Sequence, residues 1–344
     1  MQNMRLFKMK NIYILLVMIS TIGMHSCDQY LDIVPDKSQE IELMFERKEA
    51  AYRALATCYY YLPQEDGVYS TSAFASDELT TPIAKETPGV ELMRGKQSAD
   101  RPIMGLWDDT YPYGRMQESL WKAIRACNIF IDNIDLVKDM KAEEKNQWKS
   151  EAIFLKAYYH FLLFRQYGPI PIIDVNLPIT AGVEQVRIKR KPVDEVIDYI
   201  VSTIDKSITN LPVRITSSNN FGRIDRLIAY SIKSRVLLYA ASPLYNGNVA
   251  FYDTFKDKDG VKLFNTAFDK EKWKKAMEAA EMALQIAASN NVKLYEFNGI
   301  VPAFDTLDIK QPEIKALYNY RYMFTERWNQ ELIWGNSNPV ANGQ

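Results

Sequence analysis

Apolar positions recur at helical spacing along most of this chain, in blocks set apart by polar loops. The densest block is SEAIFLKAYYHFLLFRQYGPIPII, Ser150 to Ile173. Ile153, Ala157, Phe161 and Phe164 form one stripe, and Phe154, Tyr158 and Leu162 a second beside it. A helix apolar on nearly every side is buried between other helices. Ser150 is the expected N-cap. Gly168 supplies a stop, and Pro169 and Pro171 forbid continuation. Tyr158, Tyr159 and His160 are expected as core or groove-lining residues, not as catalysts.

The flanking blocks repeat the pattern. Glu46 to Leu62, rich in alanine, ends at Pro63. Glu118 to Val137 is the next helix, followed by a charged elbow from Lys138 to Asn146. Val193 to Asn210 is amphipathic, with Pro192 near its start and Leu211-Pro212 at its end. Ser217 to Asn220 is a polar turn. Asp225 to Ala241 follows, and Asp269 caps the regular helix WKKAMEAAEMALQIAA. The helices pair as 47–62 with 118–137, 150–167 with 192–210, and 225–241 with 269–288. Trp273, Ala276 and Ala280 resemble the second helix of a tetratricopeptide unit, although the loops exceed that repeat's period. The expected fold is mostly α, with stacked tetratricopeptide-like helix pairs, long loop insertions and little β. Beyond Lys293 the helical period fades, and Tyr318, Tyr320, Tyr322, Trp328 and Trp334 accumulate.

The amino terminus is of another kind. Met1 to Lys10 is basic, and Ile12 to Met24 is an apolar run too short to span a bilayer but typical of a signal-peptide core. Small residues before Cys27 suggest lipoprotein processing, with Cys27 taking the lipid; an ordinary cleavage nearby, with Cys27 incidental, is the alternative. The expected division is a leader at 1–26, a lipidated tether at 27–45, a helical-repeat domain at 46–300 and the start of a variable region at 301–344. Cys58 and Cys127 sit at helical spacing among Leu and Ile. They read as buried core thiols, with a disulfide as the alternative in an exported chain.

Composition narrows the function. Net charge is −1, so no basic surplus points to nucleic acid. The 21 Tyr and 6 Trp suit partners that are polar yet have apolar faces, as sugars are. Between Pro63 and Met116 lies a stretch without periodicity, dense in Ser, Thr, Gly and Pro and studded with aromatics. A stretch this long inside a compact domain is usually functional, and its aromatics argue against disorder. It holds the candidate ligand contacts: Tyr69, Trp107, Tyr111 and Tyr113 for stacking, Asp77, Glu78 and Arg101 for hydrogen bonds. Each also has a plain reading as a packing or solvated loop residue.

Catalytic patterns are absent from the sequence. There is no HExxH, GxSxG, Walker loop or GxGxxG opening a βαβ unit, and only two histidines, His25 and His160. Asp257 to Gly260 (DKDG) resembles part of a calcium loop but lacks the first ligand and the closing Glu, so it reads as a turn. The doublets Asp77-Glu78 and Asp108-Asp109 are adjacent in sequence, whereas a glycosidase needs two acids facing one bond. No enzyme, metal or cofactor is expected.

Ser150 to Ile173, together with LWKAIRACNIFIDNI (Leu120 to Ile134) and GRIDRLIAYSIKSRVLLYAASPLYNG (Gly222 to Gly247), resembles the SusD/RagB family in the family's own order. The resemblance implies a surface lipoprotein of the outer membrane that binds nutrients, mostly glycans. It implies as partner a TonB-dependent transporter of the SusC type, over which the protein acts as a lid. In that family a longer variable region follows a stretch like NQELIWG, so 301–344 is expected to be the beginning of an incomplete one, with an unusually short member of the family as the alternative. An exported helical scaffold that binds protein is the alternative.

Overall fold

The computed structural model describes residues 41, 43–63, 88–98, 103, 105–108, 119–299 and 308–335. The leader, Cys27, and Tyr69, Asp77, Glu78, Arg101, Tyr111 and Tyr113 lie outside the described residues. The helices are α1 (Lys48–Tyr60), α2 (Pro88–Met93), α3 (Leu120–Asn133), α4 (Ala142–Tyr167), α5 (Val183–Val186), α6 (Val193–Ile208), α7 (Arg226–Ala241), α8 (Val249–Tyr252), α9 (Lys270–Ser289) and α10 (Pro312–Met323). Among the described residues the one β feature is an isolated bridge, Lys256 to Lys262. It closes the DKDG turn, where Asp257 Oδ1 accepts from the N–H groups of Asp259 and Val261.

The expected pairs form: α1 packs on α3, α4 on α6, and α7 on α9. Contacts of α3 with α4 and of α6 with α7 join them into one stack with one main hydrophobic core. Short polar side chains start several helices. Ser119 Oγ accepts from Trp121 N–H at α3, Asp225 Oδ1 from Ile228 N–H at α7, and Asp269 Oδ1 from Glu271 N–H at α9.

The central helix differs from expectation at its start. α4 runs for 26 residues from Ala142, so Ser150 is a buried mid-helix residue and not a cap. The charged elbow contributes the first turns because Ala, Glu, Lys and Gln are strong helix formers, and Glu143 and Glu144 complement the dipole at the amino end. The stop is as expected. Gly168 has φ +67°, a left-handed conformation that favours glycine, and a Cβ there would meet the Phe264 ring at 3.2 Å.

Polar groups inside the stack are satisfied by one another. Glu151, on α4, accepts Nε–H and Nη2–H of Arg223 at 3.0 and 2.7 Å and the Tyr59 hydroxyl at 2.7 Å. Burial pushes the Glu151 carboxyl up, against the pull of Arg223. His160 Nδ1 donates to the Lys156 carbonyl at 2.8 Å, and its Nε2 accepts from Ile173 N–H at 3.2 Å. That fixes a neutral tautomer, and burial lowers its pKa to about 4. Cys58 and Cys127 are free, buried thiols in contact between α1 and α3; burial, first, and Cys58 alongside push the Cys127 thiol up.

The carboxyl region is more ordered than its pattern implies. α10 lies where periodicity fades, with Pro312 in its first turn. Its Tyr318 joins Tyr295 and Phe297 in a small second core. The segment NQELIWG then returns to the stack. Trp334 sits edge-on to Phe154 and Tyr158, and its Nε1–H donates to the Gly222 carbonyl at 3.1 Å. Arg214 donates to the carbonyls of Leu332 and Ile333 at 3.0 and 2.8 Å while paired with Asp225 at 3.0 Å.

Candidate functional site

Two surfaces have the chemistry of a ligand site. The first is the root of the long insert. Leu106 and Trp107 N–H groups both donate to the Tyr167 hydroxyl oxygen, at 2.9 and 3.1 Å. Ser119 Oγ donates to the Trp107 carbonyl at 2.6 Å, so the cap of α3 also holds the insert. The Trp107 ring lies edge-on to Trp121 and Tyr167, with centroids 5.0 and 5.3 Å away, and the Arg190 guanidinium lies 5.3 Å from its centre. Of the ligand contacts expected from sequence, Trp107 is the one the described residues include. Its indole is partly buried and fastens the insert's exit to α3 and α4. What it still presents is a composite edge, with the guanidinium over the ring.

The second surface is a cleft of about 690 Å³ between the loop that follows α9, residues 295–299, and the carboxyl end of α10 with the segment after it. Tyr295, Phe297 and Tyr322 form its aromatic wall, with Phe297 and Tyr322 centroids 4.5 Å apart. Glu296, Asn298, Glu326 and Gln330 supply polar atoms around it. The Tyr295 hydroxyl donates to Glu326, and its pKa is pushed up to about 12, by burial first and then by that carboxylate. Glu296 is held below the usual carboxylate range by Lys315 at 2.5 Å. Phe297 N–H donates to Asn319 Oδ1 at 2.9 Å, and Tyr295 N–H to Glu331 Oε2 at 2.8 Å. Flat rings beside carboxylates and amides can take a ligand with apolar C–H faces and a rim of hydroxyls.

Sequence reasoning noted the aromatics near the carboxyl end without assembling this cleft. Its residues come from a loop and a helix about thirty positions apart. The local signal is the alternation of aromatic and polar residues in Tyr295 to Asn298. Trp328 is a further feature. It has φ +54°, uncommon for a bulky residue, and its ring rests on Phe221 at 4.9 Å. Among the described residues no group of His, Cys, Asp and Glu could hold a metal ion.

A stack of helix hairpins with aromatic loop surfaces is the architecture of a recognition module. The chain belongs to the SusD-like family: the family model described as "Starch-binding associating with outer membrane" matches residues 29–238. The solved structure named BT4246 is 26% identical with a TM-score of 0.71, covering 85% of this chain and 51% of that one. A SusD superfamily protein from Parabacteroides distasonis is 17% identical with a TM-score of 0.51, covering 72% and 46%, and supports the fold alone. The chain therefore spans about half the length of these solved structures. No curated protein matches it. No helix among the described residues is long and apolar enough to cross a membrane.

Proposed function

We propose that this chain captures glycan at the outer membrane, held there by lipid on Cys27, and passes it to a TonB-dependent transporter of the SusC type. The family's description as starch-binding and outer-membrane-associated supports the setting. The observation that carries the chemistry is the cleft of Tyr295, Phe297 and Tyr322 with its acidic and amide rim. A sugar ring would stack its C–H face on Tyr322, and Glu296, Asn298 and Glu326 would accept or donate to its hydroxyls. One buried ring face contributes roughly 1–2 kcal/mol, so micromolar affinity takes several such contacts. The insert rooted at Trp107 adds those contacts in this reading, through Tyr69, Tyr111 and Tyr113 for stacking and Asp77, Glu78 and Arg101 for hydrogen bonding. The reading is of capture without turnover.

Affinity electrophoresis and calorimetry of the full chain against α- and β-glucans test it. Binding is expected, with a loss of about tenfold in Tyr322→Ala. If no polysaccharide binds, the reading fails and the protein-binding scaffold takes its place. If binding is indifferent to both Tyr322→Ala and Trp107→Ala, the site is elsewhere. Acyl labelling is expected in cells and should vanish in Cys27→Ala.

A further inference from the structure

The chain has three cysteines, and two of them meet. Cys58 lies in the last turn of α1 and Cys127 midway along α3, both fully buried in the main core. Their thiols are within hydrogen-bond reach of each other. α1 packs along α3, and the Tyr159 hydroxyl of α4 donates to the Cys58 carbonyl, so the backbone on the α1 side is fixed as well. Their place in the chain matters as much as their contact. Cys58 stands just before the long insert that begins at Pro63. Cys127 stands just after the Ser119 cap that fastens the insert's exit. A bond between the two sulfurs would close the insert at its base and tie the first helix of the stack to its neighbour.

We propose that Cys58 and Cys127 form a disulfide site: the structure shows the dithiol, and the exported chain closes it across the root of the insert. A disulfide has an S–S length of about 2.0 Å and Cα atoms about 5.5–6 Å apart, so thiols already in contact on packed helices need side-chain rotation and little backbone movement. Burial sets the order of events. Neither sulfur is exposed and burial, first, pushes the Cys127 thiol up, so the folded dithiol is inert to an oxidant. The bond therefore forms while α1 and α3 are still coming together. The oxidant is itself a disulfide, carried by an oxidoreductase or a small molecule of the export compartment. One cysteine thiolate attacks it, which gives a mixed disulfide and frees one thiol. The second cysteine thiolate attacks the protein sulfur of that intermediate, which forms the Cys58–Cys127 bond and frees the other thiol. The two protons and two electrons that leave the protein end on the two thiols of the spent oxidant. Packing then shields the bond from reductant. The compartment rests on the outer-membrane setting proposed above; the pairing does not.

Refolding the full chain with oxidised or with reduced glutathione tests the pairing. After quenching, denaturation and alkylation, the reduced sample should take label at Cys58 and Cys127 and the oxidised sample at neither. A peptide map should join the two to each other and not to Cys27. The oxidised form should melt at least about 3 °C above the reduced form, because a loop of about 70 residues is closed in the unfolded chain. Reductant added to the native protein should leave that gain, and reductant added during unfolding should remove it. Cys58→Ala and Cys127→Ala should show no gain on oxidation; if either fails to fold, the two forms of the parent decide alone. Equal melting of the two forms, label at both cysteines after oxidative refolding, or Cys27 joined to either one overturns the proposal. Protein recovered from cells under acid quench should carry the same bond. Free thiols there, beside a disulfide in the refolded protein, would refute the exported setting and leave the pairing intact.

Discussion

His160 makes the stability of this protein fall with acidification in a defined window. Its ring is buried beneath Trp121 and Tyr199, with both nitrogens engaged by backbone groups. Burial, first, and Lys156 hold its pKa down, from an ordinary 6.5 to about 4, against the opposing Lys156 carbonyl bond and Asp174. Protonation would turn Nε2 from an acceptor into a donor facing the Ile173 N–H. Between those two values the unfolded chain binds a proton that the folded chain refuses, so stability is lost as pH drops from 6.5 toward 4 and no further below. Linkage gives a loss of about 1.4 kcal/mol at about pH 5.5 and about 2.6 kcal/mol at about pH 4.5. Glu151 and Asp225 have raised carboxyl pKa values and act in the opposite sense. The effect is therefore read as a difference between the parent and His160→Gln. Urea unfolding at neutral pH should show the variant weaker by about 1–2 kcal/mol, because one backbone bond is lost. That lead should shrink as the buffer is acidified and disappear between about pH 6 and about pH 5. Parallel stability curves for the two proteins from neutral to acid pH would refute the claim that the folded state holds this imidazole neutral.

Three further outcomes follow from the packing. Arg223→Met strands the Glu151 carboxylate, fully buried in α4, and should cost about 3–5 kcal/mol in chemical denaturation. Adding Glu151→Leu should recover a large part of that, and no recovery would argue that the loss is one of packing. Cys58 and Cys127 should resist a thiol reagent in the folded, reduced protein and react together on unfolding, so fast labelling of either in native buffer would contradict their burial. Arg214→Ala removes the donors to the Leu332 and Ile333 carbonyls and leaves Asp225 short of a partner. It should cost about 2–4 kcal/mol and raise amide exchange across 308–335 before the stack opens, whereas unchanged exchange there would disprove the clamp.

The hairpin stack was legible because aliphatic residues carry a clear period. Ile228, Ile232 and Val236 mark α7, and the alanines mark the buried side of α9. The first turns of α4 were hidden because their residues are charged, and charge says nothing against helix when the residues are good helix formers. α10 was hidden because its one buried residue is a tyrosine, Tyr318, which weighs little as a hydrophobe, and its core partners Tyr295 and Phe297 lie outside the helix. The two thiols could be placed in the core individually, but their meeting depends on the α1–α3 register, which no local pattern encodes. The site was legible as composition more than as geometry. Trp107 stood out as an aromatic in a loop, yet its bond to Tyr167 spans 60 positions and decides which way the ring faces. The Tyr295–Tyr322 cleft likewise exists only once α10 has folded back.

The Arg214 clamp bears on how the protein is made. The ribosome delivers Arg214 and Asp225 more than a hundred residues before Leu332 and Ile333, whose carbonyls complete the arginine's hydrogen bonds. Until those late residues emerge, the nascent stack carries a cation short of acceptors and an aromatic groove over Phe154 and Tyr158 awaiting Trp334. A polypeptide released before those residues thus keeps an unmet arginine and an open aromatic groove near its centre, even though every helix of the stack has already been synthesised.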